Sequence, residues 1–236
     1  MQTHFVGTVD STNSEALRCL EAGKVQLPCL LVADSQRQGR GRGGKVWTSP
    51  TGNFYGTFAL AADKPDATMA QVSFVAAVAL AQVLEGLGLR PQLKWPNDIL
   101  IDGGKVSGIL LEKHGEVLLV GMGVNVAIHP NLATYASTSL GEQGVARKPR
   151  DLGTQLAAQF AQVYATWHMQ GFAPISAAWL DRAYGMGQSM TARLAGGREV
   201  AGRFGGLGPD GALRLETPKG PQPIHAAEVY FHAARH

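Results

Sequence analysis

The stretch Gln36-Arg37-Gln38-Gly39-Arg40-Gly41-Arg42-Gly43-Gly44-Lys45-Val46-Trp47 interleaves glycine with basic residues and ends in a tryptophan. It follows an apolar run at residues 29–33, which predicts a buried strand. Glycine this dense is unfavourable in a helix and weakens a strand, so we expect a loop whose backbone approaches a ligand closely. Guanidinium groups bind phosphate through forked hydrogen bonds, so the arginines indicate an anionic ligand. Trp47 offers a flat face to a base.

Two other interpretations of this loop stay open: a solvated, flexible basic segment, or an arginine-glycine segment that binds RNA. Short motifs match by chance, so the loop alone favours phosphate binding only modestly. The stretch lacks the Gly-x-x-x-x-Gly-Lys-Ser/Thr pattern of a P-loop. A turn, residues 48–52, follows Trp47 where a dinucleotide-binding loop would open a helix.

The composition indicates an ordinary globular protein whose 236 residues suit one sizeable domain and a small one. A net charge of +3 is too small to predict DNA wrapping or membrane attraction. Two cysteines, Cys19 and Cys29, cannot supply a disulfide framework, and scattered histidines argue against a zinc site. We find neither an apolar run of membrane-spanning length nor a signal pattern, and we therefore expect a reduced, cytoplasmic protein.

The polar cluster Ser11-Thr12-Asn13 lies where a predicted strand, residues 4–9, gives way to a predicted helix. Thr12 and Glu15 have the spacing of a capping box, and apolar residues then recur on one helical face. This spacing favours helix capping as the role of the cluster. The alternative is that these groups, at a helix N-terminus, hydrogen-bond a neutral polar ligand.

Apolar periodicity predicts the other elements of residues 1–185. Alternating or apolar runs predict strands at 53–60, 92–95, 99–101, 105–112 and 117–126. Helical spacing predicts helices at 65–88, 149–170 and 174–184, with a polar surface loop at 127–148. Beyond Gly185, short strands of about five residues alternate with turns. We therefore place a domain boundary there and expect a small β domain at 186–236.

Three features occur together along the chain: the Ser11-Thr12-Asn13 cluster, the Gly/Arg loop, and Lys94-Trp95-Pro96-Asn97-Asp98 followed by Lys105 and Gly108. Their order and spacing closely resemble the biotin protein ligases, the biotin–acetyl-CoA-carboxylase ligases. The matching segments run from Asp10 to the Gly121-x-Gly123-x-Asn125 motif. The small β domain, with Gly211 near its middle, also resembles the C-terminal domain of that family, so the resemblance covers essentially the whole chain.

The resemblance implies an α+β fold. Residues 1–185 are expected to form a biotin- and ATP-binding catalytic domain like that of class II aminoacyl-tRNA synthetases, with a mixed, largely antiparallel sheet. Residues 186–236 are expected to form an SH3-like β barrel. Many members carry an N-terminal winged helix that binds DNA, whereas this chain begins at the first catalytic strand. We therefore expect a form without that module and without specific DNA or membrane binding; homodimer formation is left open.

The resemblance also implies a two-step reaction. The carboxylate of biotin attacks the α-phosphorus of MgATP, which gives biotinyl-5′-AMP and pyrophosphate. A lysine amine of the biotin carboxyl carrier protein of acetyl-CoA carboxylase then attacks the mixed anhydride and releases AMP. Biotin and ATP are thus the small-molecule substrates, Mg²⁺ accompanies ATP, and the carrier protein is the partner.

The family's functional residues map onto matching positions of this sequence. The implied catalytic residues are Lys105, Arg42 and Asp98. The implied biotin-binding residues are Ser11, Thr12, Asn13, Gln36, Gly39, Arg40, Lys105, Gly108, Gly121 and Gly123. The implied ATP-binding residues are Arg40, Arg42, Lys45, Trp47, Asn97, Lys105 and Asn125. Asn97 and Asp98 suit either magnesium or the attacking amine, and Lys94 either joins the site or supports the loop.

Three positions depart from the family pattern. Gly43 replaces an arginine found in many relatives, and Lys45 keeps the charge of the usual arginine but loses its fork. His232 stands where some relatives place an arginine, which puts a phosphate contact from the small domain in doubt.

Two rival functions are weaker. Lipoate or octanoate ligases and transferases share the fold but lack a Gly-Arg-Gly-Arg loop followed by tryptophan. A non-catalytic nucleic-acid-binding protein would leave Lys105 and the Ser11-Thr12-Asn13 cluster unexplained.

Overall fold

The computed structural model describes residues 1–130 and 136–231, and its centre is a seven-stranded sheet. The strands are β1 Gln2–Val9, β2 Cys29–Gln36, β3 Phe54–Ala61, β4 Gln92–Lys94, β5 Asp98–Ile101, β6 Gly104–His114 and β7 Val117–Val124. They lie in the order β1-β2-β3-β7-β6-β5-β4. β1 and β2 run parallel and the other neighbours run antiparallel. The expected mixed, largely antiparallel sheet of an α+β fold is confirmed.

Helices cover both faces of this sheet. They are α1 Thr12–Glu21, α2 Asp66–Met69, α3 Val72–Gly86, α4 Pro149–Gln170 and α5 Ala173–Leu180. Successive side chains of a strand point to opposite faces, so in β2 Leu30 and Val32 join the main core while Leu31 packs in a second cluster with Ala16 and Cys19 of α1. Burial on both faces explains why β2 is apolar at consecutive positions rather than alternating.

The start of α1 differs from the sequence prediction. Thr12 is already helical, Ser11 is the residue before the helix, and the side chain of Ser11 makes no capping hydrogen bond. The capping-box interpretation is therefore wrong, and the polar groups of this cluster contact other elements instead.

The apolar segment before Gly86 is the core helix of the molecule. The predicted helix is split, since α2 ends at Met69 and α3 begins at Val72. The whole stretch Asp66–Gly86 is long and apolar enough to cross a membrane, judged by length and composition alone. This contradicts our expectation that the chain has no apolar run of that length. Most of it is buried inside the protein, as in the central helix of a soluble protein, so its composition reflects packing on all sides.

The C-terminal residues form a separate five-stranded antiparallel sheet. Its strands are β8 Ser189–Arg193, β9 Glu199–Leu207, β10 Leu213–Thr217, β11 Gly220–Ile224 and β12 Glu228–Phe231, in the order β11-β10-β9-β8-β12. We did not predict β11, which contains two prolines, Pro221 and Pro223. Proline is tolerated at sheet edges, and β11 is an edge strand.

The two sheets are joined by a continuous apolar core. Trp179 of α5 packs edge-on against Phe204 of β9, with ring centroids 6.4 Å apart. The indole Nε1 of Trp95 donates a hydrogen bond of 3.2 Å to the carbonyl of Gly211. The domain boundary near Gly185 stays a prediction. The strands on either side of it belong to different sheets, but residues of both sheets pack in one apolar core.

The central contact of the helical layer gives a stability test. Phe160 of α4 stacks on Phe58 of β3, with ring centroids 4.0 Å apart, and both are fully buried. We expect Phe160→Ala to lower the free energy of unfolding by about 3–5 kcal/mol, because it leaves a cavity between helix and sheet. Urea denaturation measures this. The control Gln162→Ala, exposed on the same helix, should change stability by less than about 0.5 kcal/mol; equal effects would contradict this account of the core.

Candidate active site

One cavity of about 730 Å³ collects most of the residues singled out in the sequence. It is lined from several elements: the start of α1, the Gly/Arg loop, the turn between β4 and β5, strands β6 and β7, and strand β12. The predicted site residues that line it are Ser11, Thr12, Asn13, Gln36, Arg40, Arg42, Lys45, Trp47, Asn97, Asp98, Lys105, Gly108, Gly121 and Gly123. Lys94 lines it as well.

The Gly/Arg loop folds back on itself beside this cavity. Arg40 and Val46 form an isolated antiparallel bridge, and the amide of Gly41 donates to the carbonyl of Lys45 at 2.7 Å. Between them the chain makes one tight turn in which Gly43 has φ +64°, a conformation that glycine adopts without strain. The expected loop is therefore present, as a compact turn.

Gly39 and Asn125 are not among the residues that line this cavity, although Asn125 lines a smaller one beside it with Trp47 and Lys105, and their roles as ligand contacts stay predictions. A Cβ on Gly39 would lie 2.4 Å from the carbonyl oxygen of Trp47, so this glycine is needed for packing inside the loop. The side-chain amide of Asn125 donates to the carbonyls of Thr138 at 3.0 Å and Lys105 at 3.3 Å. Asn125 thus fastens the end of β7 and holds the backbone that carries Lys105.

The start of α1 carries a network of uncharged hydrogen-bonding groups. The side-chain oxygen of Gln36 accepts from the amide of Thr12 at 2.8 Å and from its hydroxyl at 3.1 Å. Its nitrogen donates to Ser49 at 2.9 Å. Asn13, 3% exposed, accepts from the hydroxyl of Thr57 at 2.6 Å. These partners hold Thr12 and Asn13 in place and explain why neither serves as a helix cap.

Positive charge gathers where the turn between β4 and β5 meets the loop and β6. The amine of Lys105 pairs with Asp98 at 2.6 Å, and Arg42 Nη1 donates to the side-chain oxygen of Asn97 at 3.4 Å. Burial lowers the pKa of both Arg42 and Lys94, although Asp98 acts in the opposite direction. Three cationic side chains thus surround one carboxylate, an arrangement that an anionic ligand would stabilise.

Trp47 lies directly on the sheet over two paired glycines. Gly108 of β6 and Gly123 of β7 are register partners. A Cβ on Gly123 would lie 2.4 Å from Nε1 of Trp47, and one on Gly108 would lie 3.1 Å from its ring. The neighbouring Gly121 is covered by Asn13, whose Oδ1 would lie 2.7 Å from an added Cβ. These glycines were expected to admit a ligand against the backbone; in this structure they admit the side chains of Trp47 and Asn13.

The C-terminal sheet contributes to the cavity in a way that we did not predict. Glu228, Val229 and Tyr230 of β12 line it, and Glu228 accepts from Lys45 of the loop and, at 2.7 Å, from the hydroxyl of Tyr230. Hydrogen bonds from Lys45 and Tyr230 lower the pKa of Glu228. His232 lies outside the described residues.

Metal-binding clusters were sought among the described residues as well. Within residues 1–130 and 136–231, no three His, Cys, Asp or Glu side chains come together in a way that could hold a metal ion. Asp98 and Asn97 are nevertheless adjacent oxygen donors in the cavity. Magnesium is commonly held by one or two protein oxygens together with substrate phosphates, and these two residues fit that pattern.

Comparison with known proteins identifies the family. The model of the Biotin/lipoate A/B protein ligase family matches residues 6–128, and that of the Biotin protein ligase C terminal domain matches residues 185–232. A biotin–acetyl-CoA-carboxylase ligase of Paracoccus denitrificans is 43% identical, over 96% of this chain and 99% of its own length. The Bifunctional ligase/repressor BirA of Bacillus subtilis is 35% identical, over 85% of this chain and 65% of its own length.

A solved structure agrees with these matches. The biotin protein ligase from Aquifex aeolicus, in complex with biotin and ATP, superposes with a TM-score of 0.87 at 25% identity and covers 99% of both chains. Sequence, domain content and fold lead to the same conclusion: the chain belongs to the biotin protein ligase family.

Proposed function

We propose that this protein makes biotinyl-5′-AMP from biotin and ATP and transfers the biotinyl group to a lysine of the biotin carboxyl carrier protein of acetyl-CoA carboxylase. One observation carries the proposal. A single cavity joins the neutral hydrogen-bonding groups of Thr12 and Asn13 to the cationic groups of Arg42, Lys94 and Lys105. Biotin needs both, because its ureido group is neutral and its carboxylate must meet the phosphates of ATP.

In the first step a carboxylate oxygen of biotin attacks the α-phosphorus, and the bond from that phosphorus to the bridging oxygen of pyrophosphate breaks. Negative charge builds on the phosphoryl oxygens as this happens. In this proposal Lys105 and Arg42, which both line the cavity, stabilise that charge, and a preorganised charge of this kind contributes about 3 kcal/mol. Asp98 orients the amine of Lys105 through their ion pair. Magnesium would neutralise part of the phosphate charge, with Asp98 and Asn97 as its candidate protein contacts.

In the second step the lysine amine of the carrier protein attacks the carbonyl carbon of the mixed anhydride, and AMP leaves. Asp98 suits this amine better than Asn97 does. Asn97 donates to the carbonyl of Ile109 at 2.7 Å and accepts from Arg42 at 3.4 Å, which leaves its oxygen a lone pair for a metal ion but gives it no group that can take up a proton. Asp98 is a carboxylate that can accept a proton or hydrogen-bond an ammonium group.

We further propose that Trp47 stacks on the adenine, because its ring lies in the cavity beside the cations and meets the amine of Lys105 at 5.4 Å from the ring centroid. A cytoplasmic location fits the buried, free Cys19 and Cys29. Homodimer formation and the lack of specific DNA binding stay predictions.

The proposal is tested by following pyrophosphate release and the transfer of labelled biotin to a purified carrier domain. We expect both reactions to require biotin and ATP. Lipoate should not replace biotin in either reaction. Pyrophosphate release that depends on lipoate instead would show that the substrate class is wrong.

Substitution of Lys105 tests the adenylation step. We expect Lys105→Ala to lower biotin-dependent pyrophosphate release by about 100-fold or more, because the charge that stabilises the transition state is removed. Biotin affinity, measured by calorimetry, should change less. Lys113→Ala is the matched control, since Lys113 lies on the same strand and pairs with the exposed Asp66. If Lys105→Ala releases pyrophosphate at the wild-type rate, Lys105 is a structural residue.

Substitution of Gly123 tests whether the ring of Trp47 lies against the backbone of β7. We expect Gly123→Ala to displace the indole, since the added methyl group would lie 2.4 Å from its Nε1. The other tryptophans, Trp95, Trp167 and Trp179, are at most 3% exposed, so a rise in acrylamide quenching of fluorescence reports on Trp47. Gly7→Ala, with no atom within 4 Å of the new Cβ, is the control. Unchanged quenching in Gly123→Ala would contradict this placement of Trp47.

A further inference from the structure

Glu112 of β6 joins two of the residues that line the cavity, Asn13 and Arg40. Its Oε2 accepts from the side-chain nitrogen of Asn13 at 2.8 Å. Both of its oxygens accept from the guanidinium of Arg40, at 3.0 and 3.3 Å. Glu112 itself is not among the residues that line the cavity. The carboxylate therefore holds two binding groups without facing the ligand.

The orientation of the Asn13 amide depends on this carboxylate. The oxygen of Asn13 lies against the hydroxyl of Thr57 at 2.6 Å. A hydroxyl can donate or accept, so Thr57 would satisfy either orientation of the amide. An ionised carboxylate only accepts, so Glu112 requires the NH₂ group on its side. Asn13 is left with one N–H and one oxygen lone pair for further partners, in positions that Glu112 determines.

Arg40 is held by the same carboxylate. Besides its forked contact with Glu112, it donates from Nη1 to the hydroxyl of Ser14 at 3.3 Å. This links the Gly/Arg loop to α1 and to β6. Burial alone would raise the pKa of Glu112, but the hydrogen bonds from Arg40 and Asn13 outweigh it and leave that pKa below its usual value. The side chain is therefore ionised at neutral pH.

We infer that Glu112 is a positioning residue for biotin binding, which acts through Asn13 and Arg40 and touches no substrate. The inference rests on the proposed function. Its physical basis is that Glu112 lies between two donors, and both are satisfied only by a side chain that accepts at both oxygens. Glutamine has the same shape but one acceptor and one donor. At position 112 it would either release Arg40 or turn the amide of Asn13 over.

The test compares Glu112→Gln with wild type in steady-state pyrophosphate release. The loss of one hydrogen bond to a charged group corresponds to a change of roughly tenfold or more. We expect KM for biotin to rise by about that factor, with a smaller change in KM for ATP and a melting temperature close to that of wild type. A KM for biotin within about twofold of wild type would overturn the inference.

A double-mutant cycle separates positioning from a general effect on the fold. In an Asn13→Ala background the amide that Glu112 orients is gone, so adding Glu112→Gln should raise KM for biotin much less than it does in wild type. An equal rise in both backgrounds would show that Glu112 does not act through Asn13. Lys113→Gln, next to Glu112 on β6 and paired with Asp66 on the surface, controls for loss of charge on this strand and should leave KM unchanged.

The wild-type assay keeps the two hypotheses apart. If wild-type protein releases no pyrophosphate with biotin and ATP, the proposed function fails and the inference fails with it. If wild type is active and Glu112→Gln behaves identically, only the role of Glu112 is wrong.

Discussion

The bare backbone of β6 and β7 is the constraint on which the site depends. Gly108, Gly121 and Gly123 leave part of the sheet surface without side chains, so the ring of Trp47 and the amide of Asn13 can lie directly against it. Each of these two groups comes from a different segment, the Gly/Arg loop and the start of α1. A methyl group on Gly121 or Gly123 would collide with one of them, so these glycines are required by close approach rather than by backbone conformation.

Electrostatics adds a second constraint. Arg42, Lys94 and Lys105 share a partly buried region with Asp98, and burial of Arg42 and Lys94 makes their positive charge costly. The protein tolerates this because each cation lies within reach of Asp98 or a polar neighbour. A bound polyphosphate would remove much of that cost, which is how a site can be unfavourable for folding and favourable for binding at once.

Local sequence was sufficient for the elements whose signals are local. Helix α4 has the predicted bounds, because proline starts it and Gly171, at φ +75°, ends it. Local sequence did not predict the structure correctly where contacts with distant parts of the chain determine it. Thr12 has the spacing of a cap but bonds to Gln36, and β11 forms despite its prolines because it lies at a sheet edge. The same holds for Glu112, which we did not single out, although it lies on the same side of β6 as Gly108 by period-two alternation.

The contact between Trp95 and Gly211 limits how this protein can be shortened. Its indole is bonded to the backbone of Gly211, and a Cβ on Gly211 would lie 2.8 Å from the ring of Phe74. The C-terminal part of the chain therefore shields the rings of Trp95 and Phe74, which belong to the N-terminal part. A fragment that stopped before β8 would expose these rings to water and would tend to aggregate. A shortened version of this enzyme therefore has to keep both sheets. A chimaera that takes the small sheet from a relative must also provide a surface complementary to Phe74 and Trp95.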